Sequence, residues 1–417
     1  MRAVLALLLA CTAFFCPLLA GKVPETLEDR ARKGDVNAGY ELAIEHFFGR
    51  KRPVNLILAV YWFRRSADAG HTASQYNLAR CLERGWGCRK SKAMAAVYYR
   101  KAMQGKLTEA MVRYAELLYA GVPAEKSEYG EFPEVKANKE EALQLLRHAA
   151  EVSGKAKVVL ARYLFKDAPR HGAELRSRLS GYVRRPDANP EALLLYSACL
   201  RSGIGGEIDI AGGVKALQKA ADRGNSEALA QLAEILFNGT GLPPDPEKAL
   251  KLTRDAVKLG NQRAMVNLGR LHLAGVGVDY DPAEAVRLFR RAGDSGYPPA
   301  LCALGDCYTR GTGVEPDSRE AFTHYRLAAS GGDENGCWKL GDCYARGEGV
   351  ARDDTLAFNW YRRSALAGSF VGMRKMAIAL LDGRGVRQDR ESGLKLLRQA
   401  AAGGDENARF LLEHKLK

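Results

Sequence analysis

The sequence lacks the motifs that most catalytic and metal centres require. Its 417 residues contain no H-E-x-x-H zinc motif, no phosphate-binding Walker loop and no paired C-x-x-C zinc motif. The 7 histidines are scattered along the chain. Two of them, His46 and His272, share one core-facing position of a sequence repeat, where packing accounts for them. We therefore expect a protein that is not an enzyme and that needs neither a cofactor nor a metal ion.

A long apolar run is also missing after the first twenty residues, so no membrane span is expected beyond them. Before that point, Arg2 precedes an apolar stretch over 3–20 that only Thr12 and Pro17 interrupt. A basic start, an apolar stretch and small residues at its end are typical of a secretory signal. We therefore expect a signal peptide over 1–20 and a secreted or periplasmic protein.

Two alternatives to a cleaved signal peptide stay open. The segment Leu8-Leu9-Ala10-Cys11 resembles a lipobox, which would give a lipid-anchored protein. The apolar run is also barely long enough to span a membrane as an uncleaved anchor. The sequence does not decide among the three.

Acidic residues are outnumbered, with 49 Asp and Glu against 63 Lys and Arg, which gives a formal net charge of +14. A basic balance favours acidic partners such as anionic polymers or lipid head groups. Because of the signal peptide, we do not expect nucleic acid to be the natural partner. A solvated, soluble surface without a specific acidic partner is the simpler explanation of the same balance.

The cysteines do not form the regular pattern of a disulfide framework. Nine are present, and two of them lie in the predicted signal peptide. The other seven are an odd number, so at least one is free or pairs between chains. Small buried residues explain most of them. A pair between Cys302 and Cys337, or between Cys81 and Cys88, stays open.

Repetition is what the chain has in abundance. Small residues that open an apolar helical pattern return every 36 residues in nine of ten steps, and the exception is a step of 46 residues. We call these residues anchors: Ala38, Ser74, Ala110, Ala156, Ala192, Ala228, Ala264, Ala300, Gly336, Gly372 and Ala408.

Each repeat carries the signals of two helices. Apolar residues four and eight positions after the anchor lie on one helix face, such as Leu304 and Tyr308. A glycine eleven positions after the anchor ends this first helix, such as Gly311. Position seventeen holds an N-cap for a second helix, such as Asp317, and a small residue four positions later lets the helices approach closely. The pattern therefore predicts stacked helix pairs.

Two consecutive repeats resemble the Sel-one-like repeat, a relative of the tetratricopeptide repeat. The first, over 300–332, carries the likeness in Leu304-Gly305, Tyr308, Gly311-x-Gly313-Val314, Asp317, Ala321, Tyr325 and Ala328-Ala329. The second, over 336–368, carries it in Leu340-Gly341, Tyr344, Gly347-x-Gly349-Val350, Asp353 and Trp360-Tyr361. The resemblance covers nearly the whole chain after the signal peptide and is most specific from Ala192 onward. It implies an all-α fold, a right-handed α-solenoid of about ten antiparallel helix pairs.

The register of the repeat predicts a division of the chain into six parts. They are a signal peptide (1–20), a lead-in (21–37), repeats 1 to 3 through the first helix of the third (38–120), an irregular region (121–190), six regular repeats (191–407) and a capping helix (408–417). The irregular region contains a ten-residue insertion and a degenerate repeat, in which Asp167 replaces the closing glycine.

By resemblance to tetratricopeptide solenoids, the first helices line a concave groove. Positions two, six, nine and ten after each anchor then point into it, and Trp338 is suited to anchor a partner side chain or a sugar. Any single arginine in the set is also explained as an ordinary solvated charge. The predicted groove residues are Arg80, Arg84, Arg270, Asp306, Arg310, Trp338, Asp342, Arg346 and Arg374.

The family likeness implies a protein–protein interaction scaffold or adaptor that acts outside the cytoplasm. The partner would be a protein or an extended peptide, and an acidic polymer or glycan is a further option. The alternative function is binding of cell-envelope polysaccharide or peptidoglycan through the basic groove.

Overall fold

The structure, a computed structural model, describes residues 25–127 and 130–414. These residues form 22 helices and one two-stranded sheet. They divide into two compact units, one ending at Leu175 and the other beginning at Arg176. The predicted signal peptide over 1–20 lies outside the described residues, as does the end of the predicted capping helix.

The first unit contains helices α1 to α8, the sheet and the start of α9. The bounds are α1 (Leu27–Arg32), α2 (Val36–Phe48), α3 (Leu56–Asp68), α4 (Thr72–Arg84), α5 (Lys92–Gln104), α6 (Thr108–Ala120), β1 (Glu125–Ser127), β2 (Gly130–Phe132), α7 (Lys139–Val152), α8 (Gly154–Lys166) and α9 (Ala168–Tyr182).

The second unit contains the rest of α9 and helices α10 to α22. The bounds are α10 (Pro190–Ser202), α11 (Ile210–Asp222), α12 (Ser226–Asn238), α13 (Pro246–Lys258), α14 (Gln262–Ala274), α15 (Pro282–Asp294), α16 (Pro298–Arg310), α17 (Ser318–Ser330), α18 (Glu334–Arg346), α19 (Asp354–Leu366), α20 (Phe370–Asp382), α21 (Arg390–Ala402) and α22 (Glu406–His414).

Fixed segment lengths produce the period of the sequence. From α10 to α21 every helix has 13 residues, the loop inside each repeat has seven, and the turn to the next repeat has three. Two helices, one loop and one turn therefore return to the same position after 36 residues. Within each repeat the first helix packs closely against the second, from α10 with α11 through α20 with α21. The predicted all-α solenoid of helix pairs is confirmed.

The helix ends follow the predicted capping signals. The carboxylate of Asp353 accepts a hydrogen bond from the backbone N–H of Leu356, at 2.8 Å, at the start of α19. Aspartates at the equivalent positions cap α11, α13, α15, α17 and α21. Gly347 ends α18 with φ of 72°, the left-handed conformation in which glycine is favoured. Because each N-cap contributes about 1 kcal/mol, these local signals fix the helix boundaries.

Small residues let the two helices of a repeat approach each other. The anchor Ala300 of α16 and Ala321 of α17 are both buried. Larger side chains then fill the interior of each unit, among them Phe63 and Tyr99 in the first and Phe289 in the second. A small residue at the contact and a large one beside it give close packing without voids.

The loop between α6 and α7 holds the extra residues of the irregular region. It has 18 residues instead of seven and contains the antiparallel hairpin of β1 and β2. Val122 and Val135 close the base of this hairpin, since each backbone N–H donates to the other residue's carbonyl at 2.8 Å. Helix α7 still packs against α6 as in the other repeats, so the insertion extends from the loop without separating the pair.

Helices α8 and α9 depart from the paired arrangement. Asp167 alone separates them, and α9 does not pack along α8 as second helices do elsewhere. In the first unit α9 is held by Glu174, which accepts hydrogen bonds from Arg147 of α7 at 3.0 and 2.9 Å. Nine helix pairs of the described chain therefore pack closely, and α8 and α9, which no glycine separates, do not form a tenth.

All seven cysteines of the described chain are free thiols, so neither pair that the sequence left open is formed. Six are buried and Cys88 is half-buried. Burial raises the pKa of Cys81 and of Cys343 to about 12, which keeps both thiols neutral near pH 7.

The exposure of these thiols predicts their order of alkylation. Iodoacetamide applied to the native protein at pH 8 should modify Cys88 first, because the thiolate is the reacting form and access is required. The other six should react only after denaturation, and all seven should then be modified without a reducing agent. Peptide mapping of the alkylated protein measures this, and recovery of a peptide that links Cys302 to Cys337 would contradict the expectation.

Candidate functional site

The first helices of consecutive repeats in the second unit lie close together. Contacts join α14 to α16, α16 to α18 and α18 to α20, whereas the second helices of consecutive repeats make few or no such contacts. A stack that is tighter on one side curves toward that side. The first helices of this unit therefore line its inner face, where the sequence placed the groove.

Two polar clusters cross this inner face, and we call each of them a rung. The first rung consists of Asp306, Tyr325 and Lys339: the tyrosine hydroxyl donates to the Asp306 carboxylate at 2.8 Å, and the lysine ammonium forms an ion pair with it. Each member comes from a different helix, namely α16, α17 and α18. A rung therefore ties one repeat to the first helix of the next.

The second rung repeats the first one 36 residues later. It consists of Asp342, Tyr361 and Lys375, with the hydroxyl 2.7 Å and the ammonium 2.8 Å from the carboxylate. Only 14% of the Asp342 side chain and 21% of the Lys375 side chain are exposed. The ion pair is therefore shielded from water more than a surface pair, and its loss should be felt in stability.

Glycine makes room for the tyrosine ring of each rung. A Cβ atom at Gly305 would lie 2.4 Å from Cε1 of Tyr325, and one at Gly341 would lie 2.6 Å from Cε1 of Tyr361. No side chain fits at either distance unless the ring moves. Burial, reinforced by the neighbouring aspartate, raises the pKa of both tyrosines, so they stay protonated and donate to the carboxylates at neutral pH.

A pocket of about 520 Å³ opens between α14, α16 and α18. Four of the nine predicted groove residues line it: Arg270, Asp306, Arg310 and Trp338. Cys307 lines it too, but burial raises the pKa of its thiol to about 11. The thiol is therefore neutral near pH 7 and is not an activated nucleophile.

Trp338 is held in one orientation at the edge of this pocket. Its indole N–H donates to the Asn335 side-chain oxygen at 3.1 Å. The ammonium groups of Lys339 and Lys375 lie 5.1 and 5.7 Å from the ring centroid. Cations at these distances interact favourably with the ring face. The indole is thus a fixed, half-buried aromatic surface.

Three further predicted groove residues lie along the same unit with protein partners. Asp342 belongs to the second rung. Arg346 is exposed and lies 3.9 Å from Asp342 and 3.5 Å from Glu348. Arg374 donates to Asp405 at 2.9 Å, and Asp405 in turn caps α22. Arg374 therefore has a structural role at the end of the repeats, and no ligand is needed to explain it.

The remaining two predicted residues, Arg80 and Arg84, lie on α4 of the first unit. The Arg80 guanidinium is 5.8 Å from the centroid of the Tyr76 ring and 5.7 Å from that of Trp86. Arg84 is exposed. The structure thus gathers four of the nine residues around one pocket and distributes the rest.

Four residues of the inner face were not predicted from the sequence: Tyr325, Lys339, Tyr361 and Lys375. Asp306 and Asp342 were predicted as groove residues, and both are held inside rungs. A signal was present, because Asp, Tyr and Lys recur together at the same 36-residue interval. Identical polar residues at equivalent positions of neighbouring repeats indicate a shared contact.

Comparison with known families gives a match along most of the chain. The family described as "Sel1 repeat" matches residues 37–71, 72–104, 108–152, 190–225, 226–261, 262–297, 298–333, 335–369 and 371–405. The gap between the third and fourth matches contains α8 and α9, the two helices that do not pair.

Similar solved structures include two proteins of this repeat type. A Sel1 repeat protein from Oxalobacter formigenes is 27% identical, and the likeness covers 58% of this chain and 96% of that one with a TM-score of 0.50. A protective antigen of uropathogenic Escherichia coli, which displays an SLR fold, is 23% identical over 94% of this chain and 90% of that one, with a TM-score of 0.46. No curated protein matches the sequence.

Two features are absent from the described residues, 25–127 and 130–414. None of their helices is long and apolar enough to cross a membrane. No three of their His, Cys, Asp or Glu side chains are grouped so that they could hold a metal ion.

Proposed function

This chain belongs to the Sel1 repeat family, and from that premise we propose that it is a protein–protein interaction scaffold that acts outside the cytoplasm. Members of the family generally mediate protein interactions and are generally not catalysts. The extracytoplasmic location is supported by the N-terminal sequence alone, through the basic start and apolar stretch before residue 21. A lipid-anchored form at Cys11 is part of the same proposal.

The inner face of the second unit is the surface that we propose for the partner. The observation that carries this choice is the half-buried Trp338, whose indole is held by Asn335 and which lines a pocket together with the exposed Arg310. The exposed Arg346 ends the helix that carries Trp338. Aromatic and arginine side chains supply most of the binding energy in protein interfaces when they lie in a concave surface. The arginines lie on consecutive first helices, so an extended peptide along the face can contact both.

Capture from the native compartment tests this proposal. We expect the wild-type protein to retain a protein partner from the extracytoplasmic fraction, and the triple variant Trp338→Ala, Arg310→Glu and Arg346→Glu to lose it. Removal of one interface anchor alone costs about 2 kcal/mol or more, which is a loss of roughly thirtyfold in affinity. Binding is measured by mass spectrometry of the retained proteins and then by titration with the purified partner.

A charge-matched variant on the second helices provides the control. Arg326→Glu with Arg362→Glu changes the net charge equally, and both residues are exposed on α17 and α19. This control should retain every partner. If the inner-face variant also retains every partner, the groove assignment is wrong. Recovery of envelope polysaccharide in place of protein would favour the alternative function.

A further inference from the structure

The repeat formed by α14 and α15 does not contain a rung. At the positions of Asp306, Tyr325 and Lys339, this repeat has Arg270, Phe289 and Ala303. All three rung positions of this repeat therefore hold a different residue type. The two repeats that follow along the chain, by contrast, keep the three residue types unchanged at these positions.

The absence of a rung leaves the space that forms the pocket. Ala303 ends at its Cβ atom, so the long side chain that Lys339 and Lys375 place between first helices is missing between α14 and α16. Phe289 keeps the ring position, because a Cβ at Gly269 would lie 2.5 Å from its Cε1 atom, but it has no hydroxyl to donate. Phe289, Ala303 and Arg270 all line the pocket of about 520 Å³, a volume typical of a ligand site.

The charges in the pocket wall are unbalanced toward positive. Among the described residues, neither Arg270 nor Arg310 has a hydrogen-bond or ion-pair partner. The wall acids are already engaged: Asp306 by Tyr325 and Lys339, and Asp333 by the N–H of Gly336 at 2.6 Å. Burial also raises the pKa of Asp333 above its usual value.

We propose that this pocket binds the carboxylate of an Asp or Glu side chain in an extended partner peptide. Arg270 and Arg310 donate to the carboxylate, which takes the place that an aspartate of the chain itself occupies in a rung. The guanidinium group suits a carboxylate because its N–H groups match the two oxygens. Trp338 and Phe289 provide apolar wall for the stem of the side chain. This inference rests on the proposed scaffold function and adds the chemistry of the partner.

A peptide array tests the proposal without knowledge of the natural partner. The probes are acetylated, amidated nonapeptides whose central residue is each of the twenty amino acids and whose flanks are mixtures. We expect the full-length protein to retain Asp- and Glu-centred peptides about tenfold more strongly than the Asn- and Gln-centred ones, as one charge-assisted contact implies. Arg270→Gln should abolish that preference, whereas Arg254→Gln, an exposed arginine of α13 outside the pocket, should preserve it.

A second variant tests the proposal by building a rung in this repeat. Arg270→Asp with Phe289→Tyr and Ala303→Lys recreates the cluster of the neighbouring repeats and fills the pocket. It should lose the acid preference while its melting temperature equals or exceeds that of the wild type. The single Arg270→Gln variant keeps the test valid if the triple variant does not fold.

Other results separate the pocket from the scaffold function. An acid preference that survives in Arg270→Gln, or that is lost equally in Arg254→Gln, overturns the pocket assignment. Retention of peptides without any acid preference also overturns it but leaves the scaffold function standing. If no peptide is retained and oligosaccharides of uronic acids bind in an Arg270-dependent manner, both the peptide ligand and the scaffold function are wrong.

Discussion

Replacing Gly349 with alanine should destabilise the second unit by about 3 kcal/mol, from backbone strain and overpacking together. Gly349 lies in the loop between α18 and α19 with φ of +72°, a conformation that residues with a Cβ rarely adopt. A Cβ atom there would also lie 2.0 Å from the backbone oxygen of Ser318 and 2.6 Å from its carbonyl carbon. The obstacle is backbone of the preceding repeat and cannot rotate away. Urea unfolding followed by circular dichroism measures the loss.

Gly296→Ala is the matched control for this substitution. Gly296 has φ of +77°, and a Cβ there would meet nothing within 4 Å. It should therefore cost only the strain of the left-handed backbone, about 1–2 kcal/mol. Equal losses in the two variants would show that the contact with Ser318 has no energetic weight.

The same close approach recurs in the repeats on both sides of Gly349. A Cβ at Gly313 would lie 2.3 Å from the Pro282 oxygen, and one at Gly385 would lie 1.9 Å from the Asp354 oxygen. In these three Gly-x-Gly pairs the second glycine thus lets a loop touch the start of the previous second helix. The sequence pattern assigned a structural role only to the first glycine of the pair. That first glycine ends the helix, and the packing role of the second one was not predicted.

The sequence allowed the helix boundaries and the repeat register to be predicted because their signals are local. A cap such as Asp353 acts on N–H groups within its own first turn, and Gly347 ends its own helix. The partners on the inner face are far apart in the chain, by contrast: Asp306 pairs with Lys339 and Arg374 with Asp405. Helical position alone predicts that Arg374 lies in a groove. Only the packed repeats show that it forms an ion pair with Asp405.

The pocket was not predicted, although the residues that form it can be found by comparing equivalent positions of the repeats. Arg270 was predicted as a groove residue by its place in the repeat. Arg270 is informative because the next two repeats have an aspartate at the same position. Phe289 and Ala303, which also differ from their equivalents, were not predicted as site residues. The pocket becomes visible only when α14, α16 and α18 are packed together. Ala303 leaves a space there because the equivalent residues of the next two repeats, Lys339 and Lys375, have long side chains.

Asp342→Ala should lower the free energy of unfolding of the second unit by about 2–3 kcal/mol, since it leaves partly buried donors without an acceptor. The donors are the Tyr361 hydroxyl, 2.7 Å from the carboxylate, and the Lys375 ammonium, 2.8 Å away. Asp342→Asn keeps an acceptor for the hydroxyl but removes the charge, so it should lie between alanine and wild type. Equilibrium unfolding in urea gives all three values.

A double-mutant cycle decides how much of this loss belongs to the ion pair. Lys375→Met removes the charge and retains most of the stem, so combining it with Asp342→Ala should recover part of the loss, with a coupling of about 1 kcal/mol. Asp255→Ala breaks an exposed pair in which 76% of the Lys258 side chain is in water, and it should leave the urea midpoint unchanged. Additive losses from Asp342 and Lys375 would mean that the rungs do not join the repeats energetically. The rebuilt rung at Arg270 would then have no reason to stabilise the protein, so the cycle also tests the structural premise of the pocket.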